Sequence, residues 1–189
     1  MGDKSFSGKL RFVVHKHKAT SLHYDFRLEM GGVMPSWSIP KGPTLDRTKK
    51  RLAMPTGDHD LEYRKFEGVI EQGGYGAGPV MIWDEGSYVP EVEVSKGVRR
   101  QILLREEADC VMQKGLREGI LKFTLEGTKL RGSFALVRTG GIQGKDSWLL
   151  IKHLDPECKE GYDANDYDFS AASGRSMAQI AGEETLPHG

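Results

Sequence analysis

The chain has almost no cysteine. Its 189 residues hold two, Cys110 and Cys158, in no paired or metal-ligand spacing. That count excludes a disulfide framework and a cysteine-built zinc site, and a reducing, cytoplasmic compartment is the simplest expectation. Long apolar runs are missing too. No stretch approaches the length that spans a bilayer, and Met1 to Lys9 lacks the apolar centre of an export signal. A soluble, intracellular protein with no membrane partner is expected. An excess of one charge sign is also absent, with 27 Lys+Arg against 27 Asp+Glu. The chain is therefore not a uniformly basic nucleic-acid binder, although its charge is unevenly spread. Residues 1–51 hold 11 basic and 4 acidic side chains, whereas 155–189 hold 2 and 8. The first third is the part suited to meet a polyanion. Finally, no strand–helix–strand rhythm appears, which argues against a parallel α/β fold.

The stretch from Phe12 to Leu28 organises the rest. A short apolar strand ends in His15 and His17, and a polar turn follows. From His23 to Leu28 polar and apolar residues then alternate strictly. Period two predicts a half-buried strand with His23, Asp25 and Arg27 on one face and Tyr24, Phe26 and Leu28 on the other. Two imidazoles and a carboxylate form a common ligand set for a divalent metal. Arg27, on the same face, offers a fork-shaped donor to a phosphate oxygen. His15 shares the parity of His17 and flanks the group.

Further along, Met30 to Val33 predicts a hairpin turn, and Met34 to Ile39 a strand ended by Pro40. Lys41 follows in a turn, and Arg47, Lys49, Lys50 and Arg51 form a basic run close to the histidine strand. A strand is expected over Arg51 to Met54 and a turn over Thr56 to Asp60, which leaves His59 in a loop. Glu71 to Gly78 is glycine-rich but leads into a strand, Pro79 to Trp83. It therefore reads as a tightly turning loop and not as a dinucleotide fingerprint. Residues 91–118 form the one helical-looking region, with Ala108, Val111, Met112 and Leu116 at helical spacing. Strands resume over Ile120 to Leu125, Lys129 to Arg138 and Ser147 to His153. The fold class expected is mainly β: a compact antiparallel barrel with one or two short helices. Residues 1–9 are expected as a flexible arm, 10–154 as the barrel domain, and 155–189 as an acidic, linker-like tail, mobile or docking. Within the tail, Ser176 to Ala181 suits a short helix.

With these residues in view, the chain resembles the 3′-phosphoesterase domain of the bacterial DNA ligase D of end joining and its free-standing bacterial and archaeal relatives. The resemblance runs from about Leu10 to about Leu154. It rests on several ordered motifs: Phe12 to His17, Leu22 to Glu29, Ser36 to Pro43, Lys50 to Ala53, Asp58 to Tyr63 and Trp148 to His153. Ser173 to Met177 also resembles the linker that follows this domain in fused proteins. The resemblance implies a β-barrel that trims 3′ ends of DNA with manganese. The reaction removes a terminal ribonucleoside and then the 3′-phosphate left behind. By the same resemblance His17, His23 and Asp25 would bind the metal, with zinc or cobalt also compatible with the ligand types. Arg27 and His59 would contact the phosphate, Tyr63 would support activity, and Lys41 and Arg51 would bind substrate near it. Larger relatives carry a longer polar arm before the first strand, where this chain has Met1 to Lys9. Primer–template 3′ ends, all-DNA or RNA-tailed, are the implied partners, with a ligase or end-joining factor expected in trans. The reading from a different class is a non-catalytic end-binding module that docks a repair ligase. A small-molecule metalloenzyme on a cupin-like barrel would use His17, His23 and Asp25 but leave Arg27, Lys41 and Arg51 unexplained.

Overall fold

The computed structural model describes residues 8–183. Ten strands and two α-helices run in the order β1 (Leu10–Lys18), β2 (Leu22–Leu28), β3 (Met34–Ile39), β4 (Arg51–His59), β5 (Gly68–Ile70), β6 (Gly78–Ser95), β7 (Val98–Gln101), α1 (Arg105–Glu118), β8 (Ile120–Gly127), β9 (Arg131–Arg138), β10 (Trp148–Lys152) and α2 (Met177–Ala181). Short 3-10 turns cover Leu61–Lys65 and Ala164–Asp166. Eight strands close a ring in the order β1-β2-β3-β4-β10-β9-β8-β6, and β6 returns to pair with β1. Every pairing is antiparallel, so the expected barrel is present. Closure leaves the ring without free edges.

Alternation along each strand decides what the barrel holds. Tyr24, Phe26 and Leu28 point inward with Phe12, Trp37, Trp83, Phe123, Phe134 and Trp148, all almost wholly buried. The β2–β3 hairpin turns at Gly31 and Gly32, whose φ values of +61 and +78 suit glycine. Two irregularities lie beside the outward-facing histidines. One sits where β1 meets β6 at Val14 and His15, the other where β3 meets β4 between Met34 and Ser36. Bulges of this kind re-aim side chains.

Two expectations are corrected. Residues 91–118 are not all helical. β6 continues to Ser95, a turn at Gly97 reverses the chain into β7, and the helix starts at Arg105. Val92 and Val94 follow the strand period of two, and Pro90 lacks the N–H a helix would need. Thr56 to Asp60 is not a free turn either, because β4 runs through to His59 and pairs with β3, Met34 lying opposite His59. Of the two readings of the C-terminal segment, mobile or docking, the packing matches docking. Tyr162, Ala164, Met177 and Ile180 join the core. The Trp83 indole donates to the Tyr167 carbonyl at 2.9 Å, and the Tyr24 hydroxyl donates to Asn165 at the same distance. Ser176 and Gln179 form a reciprocal capping box on α2, the helix expected there. Residues 1–7 and 184–189, the ends of the expected arm and tail, lie outside the described residues. In the described part of the arm, Lys9 bonds Glu126 at 2.7 Å. Ile180→Ala is expected to cost about 2–5 kcal/mol of unfolding free energy, the usual range for emptying a buried aliphatic site. A denaturant midpoint equal to wild type would return the segment to the status of a tail.

Candidate active site

The outward faces of β1 and β2 carry the polar cluster. β1 and β2 pair so that His17 lies opposite His23 and His15 opposite Asp25. Arg27 is two residues further on, beside Ser36 of β3. This face is buried although it lies outside the barrel, because the 3-10 turn at Leu61–Lys65 roofs part of it. Leu61 packs with Val13, Met34 and Ile82 in a small apolar cluster separate from the core. That contact brings Tyr63 over Arg27, with the guanidinium 5.1 Å from the ring centre, and sets its ring against His15 and His59.

One candidate ligand atom each from His17, His23 and Asp25 lies within 4.8 Å of the others. His23 Nε2 is 3.3 Å from Asp25 Oδ2, and His17 Nδ1 is 3.9 Å from the same oxygen. Metal bonds near 2.1 Å join ligand atoms up to about 4.2 Å apart, so both separations from Asp25 suit a shared ion. Backbone carbonyls settle which ring nitrogens face it. His17 Nε2 lies 2.7 Å from the Gly76 carbonyl, and His23 Nδ1 lies 3.1 Å from that of Ser21. Each carbonyl can only accept, so it takes the N–H of one ring nitrogen; in the neutral ring the other nitrogen, aimed at Asp25, is then free to bind a cation, the second-sphere pattern typical of metal-binding histidines. The donor set and its tautomers fit a divalent cation.

Arg27 is the hub of the neighbouring half. Its Nε donates to His15 Nδ1 at 3.0 Å, Nη1 to Ser36 Oγ at 2.9 Å and toward His59 Nδ1 at 3.0 Å, and Nη2 to Asp25 Oδ2 at 3.4 Å. These bonds explain several titration shifts. Burial alone would raise Asp25, but the His23 hydrogen bond and the charges of Arg27, His23 and His17 hold it below the usual carboxylate value. Asp25 in turn, through its hydrogen bond, raises His23 against the effect of burial. Burial lowers His17, with the Gly76 carbonyl opposing. Burial, then the charge of Arg27, lowers His59 and takes His15 down to about 3. His15 is thus a neutral acceptor for Arg27. Its Nε2 is buried and without a hydrogen-bond partner. Burial raises the Tyr63 phenol.

The structure therefore gathers His15, His17, His23, Asp25, Arg27, His59 and Tyr63 in one place. Lys41 and Arg51 line a cleft of about 340 Å³ with Lys50, floored by Leu52, Ile142 and Leu149. Arg51 Nε bonds the Gly42 carbonyl at 3.0 Å. Two contributors escaped the sequence reading. Ser36 was legible in principle, since it alternates with Ser38 on a strand next to β2. The Gly76 carbonyl was not, because a backbone acceptor leaves no side-chain signature.

A family model described as the DNA ligase D 3′-phosphoesterase domain matches residues 15–138. The chain belongs to this family. The match starts at His15 and includes all seven clustered residues. The chain is 40% identical over 188 residues to the multifunctional non-homologous end joining protein LigD of Pseudomonas aeruginosa, covering 97% of this chain and 20% of that protein. It is 40% identical over 145 residues to the LigD of Mycolicibacterium smegmatis, covering 77% of this chain and 17% of the relative. The LigD of Mycobacterium tuberculosis H37Rv is 38% identical over 138 residues, 73% of this chain and 15% of its own. The chain thus spans about a fifth or less of these relatives. No helix among the described residues is long and apolar enough to cross a membrane.

Proposed function

We propose that this chain is a metal-dependent phosphoesterase acting on DNA 3′ ends in end joining. It removes a 3′-terminal ribonucleoside and then the 3′-phosphate, leaving a 3′-hydroxyl. The observation that carries this reading is the convergence of His17, His23 and Asp25, with carbonyl-fixed tautomers, beside Arg27 and His59. Membership of the phosphoesterase family supports it. Manganese is the proposed cation, and the mixed nitrogen and oxygen donors also suit zinc or cobalt. Such a cation supplies positive charge and Lewis acidity to a phosphate ester.

The remaining roles fall to side chains of this chain. Arg27, held on four sides, presents fixed positive charge where charge develops on the phosphate. His59 Nδ1 lies 3.0 Å from both Arg27 Nη1 and the Gly57 carbonyl, so two tautomers compete. A phosphate oxygen at Nε2 accepts a hydrogen bond and selects the Nε2–H form, with Arg27 satisfying Nδ1. Because its pKa is depressed, the ring is neutral near pH 7, which favours hydrogen-bond donation over proton delivery. Tyr63 holds the His59 ring by stacking at 4.8 Å between centres. Lys41 and Arg51 are assigned to substrate phosphates at the rim of the centre, and a ligase would act next on the 3′-hydroxyl.

The test is a time course with manganese on paired primer–templates, one ending in a ribonucleotide and one all-deoxy, with a 3′-phosphorylated primer alongside. Chelator-sensitive loss of the ribonucleoside followed by slower phosphate release is expected. Equal cleavage of the first two, or a free nucleotide monophosphate as first product, overturns the reading. DNA binding with no metal-dependent product would favour the end-binding module.

Metal binding should also depend on pH. A cation needs His23 as neutral imidazole, yet Asp25 holds its pKa above the ordinary 6.5 in the metal-free protein. Below that raised value the ion must displace a proton. Manganese affinity is therefore expected to weaken as pH falls through it, with proton release near neutrality. Calorimetry in buffers of differing protonation heat measures this. Affinity independent of pH between 6 and 8, a span taken from the usual titration range of histidine at about 5 to 8, would contradict it.

A further inference from the structure

We propose that Tyr75 is a stacking platform for the base nearest the 3′ end of the substrate strand. The inference rests on the phosphoesterase reading and extends the site beyond its phosphate. Tyr75 has its whole side chain in water, at 105% relative exposure. Among the described aromatic side chains only Phe169 is otherwise exposed, and Lys129 covers its ring at 3.9 Å. Tyr75 has no hydrogen bond or ring contact among the described residues. A lone exposed apolar group needs no explanation by itself, but here the position supplies one.

Tyr75 stands on the glycine-rich loop between β5 and β6, flanked by Gly74 and Gly76. Neither neighbour has a side chain that could cover the ring. The loop is pinned on His17, at the ring nitrogen that faces away from Asp25. The Gly76 carbonyl receives the His17 Nε2–H at 2.7 Å, and a Cβ added at Gly76 would lie 3.2 Å from the His17 ring. At Gly78 a Cβ would lie 2.1 Å from the Lys18 carbonyl, so the returning leg of the loop rests on the end of β1. Both glycines have positive φ, +72 and +128, which other residues rarely adopt. The Tyr75 Cα is therefore about 3.8 Å from that of the residue that fixes a candidate metal ligand.

A phosphate engaged by Arg27 and His59 carries a nucleoside beside it, and every base presents a π-face. An uncovered ring one residue from the carbonyl that holds a candidate metal ligand can meet that face without selecting the base, as stacking platforms for single strands do. The loop also explains its own composition. Glycine keeps the backbone against His17, and the one large side chain in the run is left for the substrate.

Tyr75→Ala and Tyr75→Phe test this, since neither change removes a contact of the folded chain. With manganese, Tyr75→Ala is expected to raise KM for a ribonucleotide-ended primer–template by about 5- to 100-fold, while Tyr75→Phe stays near wild type. The loss should couple to the base. On a primer with an abasic terminal nucleoside, the ratio between Tyr75→Ala and wild type should shrink toward one. Binding gives a readout without turnover. 2-Aminopurine at the terminal or penultimate position should be quenched by wild type and by Tyr75→Phe in chelator, and not by Tyr75→Ala. Equal quenching by wild type and Tyr75→Ala at both positions, or equal KM values, overturns the assignment. If wild type quenches the probe yet no primer is cleaved, the phosphoesterase reading fails while the stacking assignment stands.

Discussion

Asp25→Asn is expected to lower manganese-supported turnover by more than about 100-fold, with the barrel still folded. Losing a group that merely orients a ligand already costs about 10- to 100-fold, and Asp25 is itself a candidate ligand. Its Oδ2 faces His23, His17 and Arg27 at 3.3, 3.9 and 3.4 Å, so one oxygen serves as the meeting point of the centre. The amide keeps the shape and the bond from Arg27 but removes the charge. Asp25→Ala would lose both and leave the Arg27 cation buried without its carboxylate, at several kcal/mol. The amide is therefore the cleaner probe. His17→Ala and His23→Ala should behave alike, because Tyr24, Phe26 and Leu28 still fill the core. Calorimetric titration of manganese and a thermal melt separate lost binding from lost fold. Full activity in any of the three variants would remove the triad from the metal site.

Much of this centre was legible because β-strands expose their face assignment in sequence. His23, Asp25 and Arg27 stand two apart, and only one face of β2 can be apolar. His17 needed one step more, the short turn that folds β1 back on β2 and sets it opposite His23. His59 was hidden by its neighbours. Gly57 and Asp58 are turn residues, yet pairing with β3 overrides that local preference and extends β4 to the edge of the site. The C-terminal segment left two readings open, mobile or docking, for a related reason. Its acidic, small-residue composition resembles a linker, but four buried side chains and the Glu67 carboxylate hold it. Glu67 accepts from Ser170 at 2.5 Å, from Arg175 at 3.2 Å and from Ser173. Such long-range anchors carry no local period. Arg51 came from a basic run and, with Lys41, from resemblance, and the structure groups both with Lys50 along one cleft.

Arg27→Lys is expected to reduce turnover by about 100- to 1,000-fold, comparable to removing one fixed donor from a site that stabilises developing charge. Charge is conserved in this variant, so the loss would come from geometry. The guanidinium reaches His15, Ser36, His59 and Asp25 at once through fixed directions. An ammonium is a compact charge and cannot hold all four. His15 would lose its only donor while its Nε2 already lacks a partner, which adds about 1–3 kcal/mol of instability. His59 would lose the group that fixes its Nδ1. Arg27→Gln makes the complementary change by removing the charge. Without that cation Asp25 should titrate higher and His59 less far below its ordinary value, because Arg27 acts on both. The same cation lowers His17 and His23, so both imidazoles also titrate higher without it, and the comparison belongs at a pH above the range in which they take up protons. Manganese should then bind Arg27→Gln at least as tightly as wild type, since a neighbouring positive charge has gone, while kcat collapses. Titration calorimetry paired with steady-state kinetics distinguishes the cases. A kcat loss matched by an equal loss of manganese affinity would make Arg27 a support for the metal centre. Wild-type kcat in Arg27→Lys would take it away from the phosphate altogether.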